Sequence, residues 1–262
     1  MGAPNQPLSD ALPGRRVRVS LPVAVFASGS GSNLQAILDY HAGLAAPPWR
    51  VELVVSDQED ARVLQRGRHA GIRARFLPVA GRSSGDVAGE TLDLLRSSEI
   101  GFVALAGYLR LIPAPVVAAF RERMVNIHPA LLPAFGGKGM YGMRVHEAVL
   151  AAGATVTGPT VHFVDEEYDR GPIIAQWPVP VRAGDDPHTL ATRVLRVEHL
   201  LYPRVVDQLG QALARECRPA PFSPPGTAFL AHSRATVDLE RAISAGFAAR
   251  TSAAAHGNEE RR

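Results

Sequence analysis

Two kinds of hydrophobic pattern alternate along the first half of this chain. Val23 to Ala27, Val51 to Val55 and Phe102 to Ala106 are short apolar runs, which read as strands buried on both faces. Between them, apolar positions recur at helical spacing. Asn33 to Tyr40 places Leu34, Ile37 and Leu38 on one face, and Ala61 to Ala70 is stopped by Gly71. Arg73 to Leu77 reads as a short strand and Asp86 to Arg96 as a helix. Pro113 opens a further helix ending near Phe120, and Val125 to Ile127 is a strand that delivers His128 at its C-terminal end. Strand–helix alternation of this kind predicts an α/β fold built on a doubly wound, mostly parallel sheet.

Past His128 the pattern changes. Gly136 to Gly142 is a loop, and Val145 to Ala152 a helix closed by Gly153. Thr160 to Val164 and Ile173 to Val181 are extended, with a turn between them, and are expected to pair as an antiparallel hairpin at the sheet edge. Pro187 to Ala214 is a long helical stretch, expected to be interrupted at Pro203. The domain expectation is a flexible N-terminal arm over 1–21, one folded domain over 22–217 and a weakly ordered tail over 218–262. That tail is Pro-rich, then Ala-rich, with one helix expected around Thr236 to Phe247.

Composition narrows the class. The 262 residues are 46% hydrophobic and 20% charged, enough for one large core or two small ones. No apolar run approaches the roughly 20 residues of a membrane span. The N-terminus has no apolar signal core, so secretion is not expected and the cytoplasm is. Cys217 is the single cysteine, which leaves no intrachain disulfide and no cysteine-based zinc cluster. A net charge of +3 and a pI near 9.4 raise nucleic acid as a partner, but the basic residues are scattered and no aromatic-interleaved basic strand is present. Lys138 is the one lysine among 28 basic residues, and it stands in a Gly-rich loop. Either chance or a local need for a compact ammonium accounts for it.

Three segments carry candidate chemistry. Ser28-Gly29-Ser30-Gly31-Ser32-Asn33 follows a strand and opens a helix, a context in which backbone N–H groups bind phosphate. It matches neither the dinucleotide Gly-x-Gly-x-x-Gly nor a P-loop, and at the end of the second strand Ser56-Asp57 offers only one weakly indicative acid. Asn126 and His128 share one face at a strand end, where doubly wound folds place ligands. Asp169 sits in an acidic turn, and the Arg170-Gly171-Pro172 that follows predicts a sharp bend returning its carboxylate toward the sheet. An amide, an imidazole and a carboxylate are the parts needed to carry a carbonyl carbon through a tetrahedral intermediate. His146 and His162 form no ligand pattern with His128, so no metal is expected. His162 reads as a structural histidine, and Glu198-His199 as a surface pair.

At this point the chain resembles the phosphoribosylglycinamide formyltransferases, the folate-dependent enzymes of de novo purine synthesis. The resemblance covers roughly residues 22–210. It runs in order through Ser28 to Asn33, Leu105-Ala-Gly-Tyr-Leu-Arg-Leu111, Asn126-Ile-His-Pro-Ala-Leu-Leu-Pro133, Phe135-Gly-Gly-Lys-Gly-Met-Tyr-Gly142, Val161-His-Phe-Val164, Asp169-x-Gly-Pro172 and Glu198-His199. It implies that Asn126, His128 and Asp169 are the catalytic trio, with Asp169 expected to raise the pKa of His128 because a nearby carboxylate favours the imidazolium. Gly31, Ser32 and Asn33 would hold the ribonucleotide phosphate, and Glu198 would contact the glycinamide. Leu109, Arg110, Leu111 and Ile112, with Asn126, would form the folate site. The implied reaction passes the formyl group of 10-formyltetrahydrofolate to glycinamide ribonucleotide, without metal and without a covalent enzyme intermediate, in a monomer or homodimer. Lys138 is a further candidate for the ribonucleotide phosphate. One departure stands out: where relatives have Ser-Arg, this chain has Ser84-Gly85, so Arg82 is the candidate substitute for contact with the folate tail.

Rivals make different demands. A methionyl-tRNA formyltransferase is expected to carry a C-terminal RNA-binding domain and to lack this phosphate loop. A formyltetrahydrofolate hydrolase is expected to carry an extra N-terminal regulatory domain. A nicotinamide-dependent oxidoreductase explains the fold but not Asn-x-His with Asp-x-Gly-Pro, and a non-enzymatic nucleotide-binding module leaves the trio idle.

Overall fold

The computed structural model describes residues 20–215 together with Arg241. Apart from Ser20, Leu21 and Arg241, the expected arm and the expected tail, with its helix around Thr236 to Phe247, lie outside the described residues, as do Glu216 and Cys217 at the end of the expected domain. In chain order the first elements are β1 (Leu21–Phe26), α1 (Ser32–Ala42), β2 (Trp49–Ser56), α2 (Arg62–His69), β3 (Arg73–Phe76), α3 (Ser84–Ser97) and β4 (Phe102–Leu105). They continue with α4 (Ala114–Ala119), β5 (Met124–His128), α5 (Met143–Ala151), β6 (Val156–Thr157), β7 (Thr160–Phe163), β8 (Ile173–Gln176), β9 (Val179–Pro180) and α6 (Pro187–Ala214).

Seven strands form one sheet in the order β3-β2-β1-β4-β5-β7-β8. Pairing is parallel from β3 to β5, and β7 and β8 complete an antiparallel edge. The doubly wound α/β sheet with an edge hairpin is therefore the observed fold. Alternation along the strands explains its two cores. Val23, Val25, Phe102 and Ala104 face Leu34 and Ile37 of α1 and Val194, Leu201 and Tyr202 of α6. Their neighbours Ala24, Phe26, Val103 and Leu105 face the other way, onto Val87 and Leu95 of α3 and Val116 of α4. β1 and β4 are buried on both faces, which is why they read as unbroken apolar runs.

Two expectations need correction. First, α6 runs unbroken through Pro203. The proline removes one backbone N–H, a local loss that packing on both sides offsets. Tyr202 is fully buried and its hydroxyl donates to the Leu105 carbonyl at 2.8 Å, while Val205, Val206 and Leu209 pack into the core. Second, Ile173 to Val181 is not one strand. It divides into β8 and β9 around Trp177-Pro178, and β9 leaves the main sheet to pair with β6. Pro178 has no N–H to give to a ladder, so pairing breaks there.

Candidate active site

The strand order reverses between β1 and β4, and the crevice outside their C-terminal ends is where ligands enter folds of this kind. A cleft of about 1220 Å³ opens there. It is lined by the Ser28–Asn33 loop, the segment after β4, the end of β5, the Gly-rich loop before α5, the Asp169 turn and one side of α6.

Asn126 and His128 leave β5 on its cleft side. Val125 before them and Ile127 between them are core residues, so the two-residue period separates chemistry from packing. Asp169 reaches this strand from the turn between β7 and β8. Gly171 makes the turn possible: a Cβ there would lie 1.8 Å from the Phe163 carbonyl oxygen. The Asp169 carboxylate stands between two imidazoles, with Oδ2 3.5 Å from His128 Nδ1 and Oδ1 3.6 Å from His162 Nε2. The Gly137 backbone N–H donates to Oδ2 at 2.8 Å, which ties the Gly-rich loop to the same group.

His162 is thus part of the constellation rather than a remote structural histidine. It pairs with Asn126 in the antiparallel register of β5 and β7, and Asn126 Nδ2 donates to its Nε2 at 3.1 Å. Its Nδ1 donates to the Phe163 carbonyl at 2.8 Å, which fixes that tautomer. The sequence signal lay in strand parity, because His162 lies directly opposite Asn126 once β7 is antiparallel. His146, on α5, is a second missed residue. It is buried at the cleft wall, its Nδ1 has no hydrogen-bond partner, and burial, with a smaller contribution from His128, lowers its pKa to about 4.

Electrostatics correct one further expectation. Burial lowers the pKa of His128, and the opposing pull of Asp169 and of the Phe135 carbonyl does not overcome it. The sequence expectation had Asp169 raising His128, but desolvation of the imidazolium is the larger effect. Even so, both ring nitrogens face oxygens: Phe135 O lies 2.8 Å from Nε2 and Asp169 Oδ2 faces Nδ1. The surroundings suit an imidazolium with two donors once a proton arrives. Burial also raises Asp169, but His162, His128 and the Gly137 N–H together hold it below its ordinary value, so it is the anion of the group.

Gly31, also on the cleft lining, is the N-cap of α1, with φ of 71° and no side-chain cap, so first-turn N–H groups face the opening. A Cβ at Gly31 would lie 2.7 Å from Val63 Cγ2, so α2 also demands glycine here. Asn33 Nδ2 donates to Glu198 Oε2 at 2.7 Å, and Asn33 Oδ1 has no partner. Glu198 is not half of a surface pair. It is buried on α6, and desolvation, only partly countered by Asn33, raises its pKa to about 7.

Leu109 and Leu111, 44% and 46% exposed, form an apolar ridge along the cleft, with Ile112 buried beneath and Arg110 beside them. Lys138 is exposed on the Gly-rich loop and lines the same cleft. Arg82 does not: its guanidinium donates to the Pro78 carbonyl at 3.0 Å and pairs with Glu90 at 2.6 Å, away from the cleft lining. The arginines that do line the cleft are Arg110 and Arg144. Among the described residues no group of three or more His, Cys, Asp or Glu is arranged to hold a metal ion, and no helix is long and apolar enough to cross a membrane.

This fold is shared with known proteins. Residues 21–206 match the model of the formyl transferase family, and the chain belongs to that family. It is 50% identical over 191 residues to a chloroplastic phosphoribosylglycinamide formyltransferase of Arabidopsis thaliana, covering 71% of this chain and 64% of that protein. The corresponding Vigna unguiculata protein is covered to 60%, so the chain spans just under two thirds of these plant relatives. The Bacillus subtilis phosphoribosylglycinamide formyltransferase is 38% identical over 71% of this chain and 93% of its own length. The crystal structure of the Bacillus halodurans phosphoribosylglycinamide formyltransferase superposes with a TM-score of 0.67 at 40% identity, covering 72% of this chain and 94% of that one.

Proposed function

We propose that this chain transfers the formyl group of 10-formyltetrahydrofolate to the amine of glycinamide ribonucleotide, a step of purine synthesis. The observation that carries the reading is that Asn126, His128 and Asp169 line the same cleft as an uncapped helix N-terminus and the Leu109–Ile112 ridge. A phosphate at Gly31, Ser32 and Asn33 and a pteridine on the apolar ridge would bring their reactive ends together beside the trio. Lys138 adds a cation to the ribonucleotide side, and Glu198 an acid for the glycinamide. The small-molecule partners fit a cleft of this size, and the cytoplasm is the compartment in keeping with the reading.

In the reaction the glycinamide nitrogen attacks the formyl carbon and the carbonyl electrons move to oxygen. One N–H of Asn126 is spent on His162, which leaves its second for the oxyanion. Each such donor contributes about 3–4 kcal/mol. His128, its pKa held down by burial, takes the proton that the attacking amine sheds, and Asp169 stabilises the imidazolium. The intermediate collapses, the bond from carbon to the folate nitrogen breaks, and His128 returns the proton to that nitrogen. The products are formylglycinamide ribonucleotide and tetrahydrofolate.

The test is to incubate the protein with 10-formyltetrahydrofolate and, separately, glycinamide ribonucleotide, initiator methionyl-tRNA or water alone. Formylation of the ribonucleotide only is expected. Formyl-methionyl-tRNA, or formate released without an acceptor, would replace this reading with one of its rivals.

A further inference from the structure

Asp57 follows β2 directly and stands beside both loops that flank the strand-order reversal. Its side chain is 1% exposed although it borders an open cleft. Arg110 Nε donates to its Oδ2 at 2.9 Å, and Gln58 Nε2 donates to the same oxygen at 2.7 Å. The Ser28 hydroxyl faces the carboxylate and also accepts the Leu109 backbone N–H at 2.9 Å. Burial raises the Asp57 pKa, yet Ser28, Arg110 and Gln58 outweigh it and keep the carboxyl below its ordinary value. Oδ1, the other oxygen, has no hydrogen-bond partner, so one buried anion grips the folate ridge through Arg110 and stands beside Ser28, the first residue of the phosphate loop, which itself holds the ridge through the Leu109 N–H. The formyl transfer steps make no use of it.

A buried carboxylate holds its donors firmly, because each one lost leaves charge without compensation. The two loops consequently share one arrangement, and ordering either by a ligand reduces the remaining cost of ordering the other. We propose that Asp57 is a positioning residue that couples the ribonucleotide and folate sites through Ser28 and Arg110, so that each substrate tightens the binding of the other. This rests on the formyl transfer reading given above.

Calorimetric titration with 5,8-dideazafolate, which has no formyl group to give, tests the coupling directly. In the wild-type protein, saturating glycinamide ribonucleotide should tighten the analogue by about tenfold, within the usual range for linked sites. Asp57→Asn should reduce that factor to less than about twofold and raise both KM values about fivefold, with kcat at saturation within about threefold. Ser28→Ala leaves Arg110 and Gln58 on the carboxylate, so it remains informative if Asp57→Asn folds poorly, and it should lose the coupling as well. A purely structural Asp57 predicts a lower melting temperature with the coupling factor intact. Coupling retained in both variants, or absent from the wild type, overturns the proposal. If the wild type forms no formylglycinamide ribonucleotide at all, the underlying reading fails. Normal transfer with unaltered coupling sinks only the role of Asp57.

Discussion

Asn33 and Glu198 are 165 residues apart in the chain and 2.7 Å apart in the structure. The contact joins the first turn of α1 to the middle of α6, and it is the hydrogen bond that holds the buried Glu198 carboxyl.

The Glu198 contact has a pH signature. With a pKa of about 7, raised from 4.5 chiefly by burial, Glu198 is partly protonated at neutral pH. The unfolded chain releases this proton near pH 4.5 and the folded chain only near 7, so the group costs stability as pH rises through that window. A bound glycinamide ammonium favours the ionised carboxylate. The ribonucleotide KM should therefore fall roughly five- to tenfold between pH 6 and pH 8 in the wild type. Glu198→Gln should show a higher, nearly flat KM over the same range. A parallel pH profile in the variant would remove Glu198 from the substrate site.

Gly31→Ala tests the loop geometry. The substitution meets Val63 at under 3 Å and must also hold a φ of 71°. Two independent penalties predict a loss of about 2–3 kcal/mol in urea unfolding, together with weaker ribonucleotide binding. A variant of wild-type stability would mean that α1 and α2 separate more easily than their packing indicates.

Much of this arrangement was legible in the sequence because the relevant signals are local. Unbroken apolar runs located β1 and β4, and a run broken only by Glu52 located β2. A strand ending at His128 placed the imidazole at the crevice, and Gly171 marked the bend that returns Asp169. What escaped depends on contacts between distant segments. His162 joins the site only through the antiparallel register with Asn126, and Glu198 is buried only because α6 packs against α1. The lowered pKa of His128 reflects three-dimensional burial, which no spacing rule reports. Sequence position alone points Arg82 at the cleft, and its pairing with Glu90 turns it elsewhere. A propensity rule places a break at Pro203 because it cannot weigh the packing on either side.

Lys138 separates a substrate contact from a solvated side chain. The Gly137 N–H that binds Asp169 anchors the loop, and the ammonium beside it borders the cleft. As a point charge on phosphate it should contribute to ribonucleotide affinity in a salt-sensitive way. Lys138→Ala is expected to raise the ribonucleotide KM several-fold, to weaken its dependence on salt and to leave the folate KM unchanged. Equal salt response in the two proteins would leave Lys138 as a solvated residue.

The central claim is that His128 and Asp169 act mainly in the transition state. The most direct measurement is steady-state kinetics of His128→Ala and Asp169→Asn with both substrates, alongside melting curves to confirm folding. Loss of the proton carrier, or of the charge that stabilises its imidazolium, should lower kcat by about 10²–10⁴ while both KM values stay within about threefold. Near wild-type kcat in either folded variant would contradict the account.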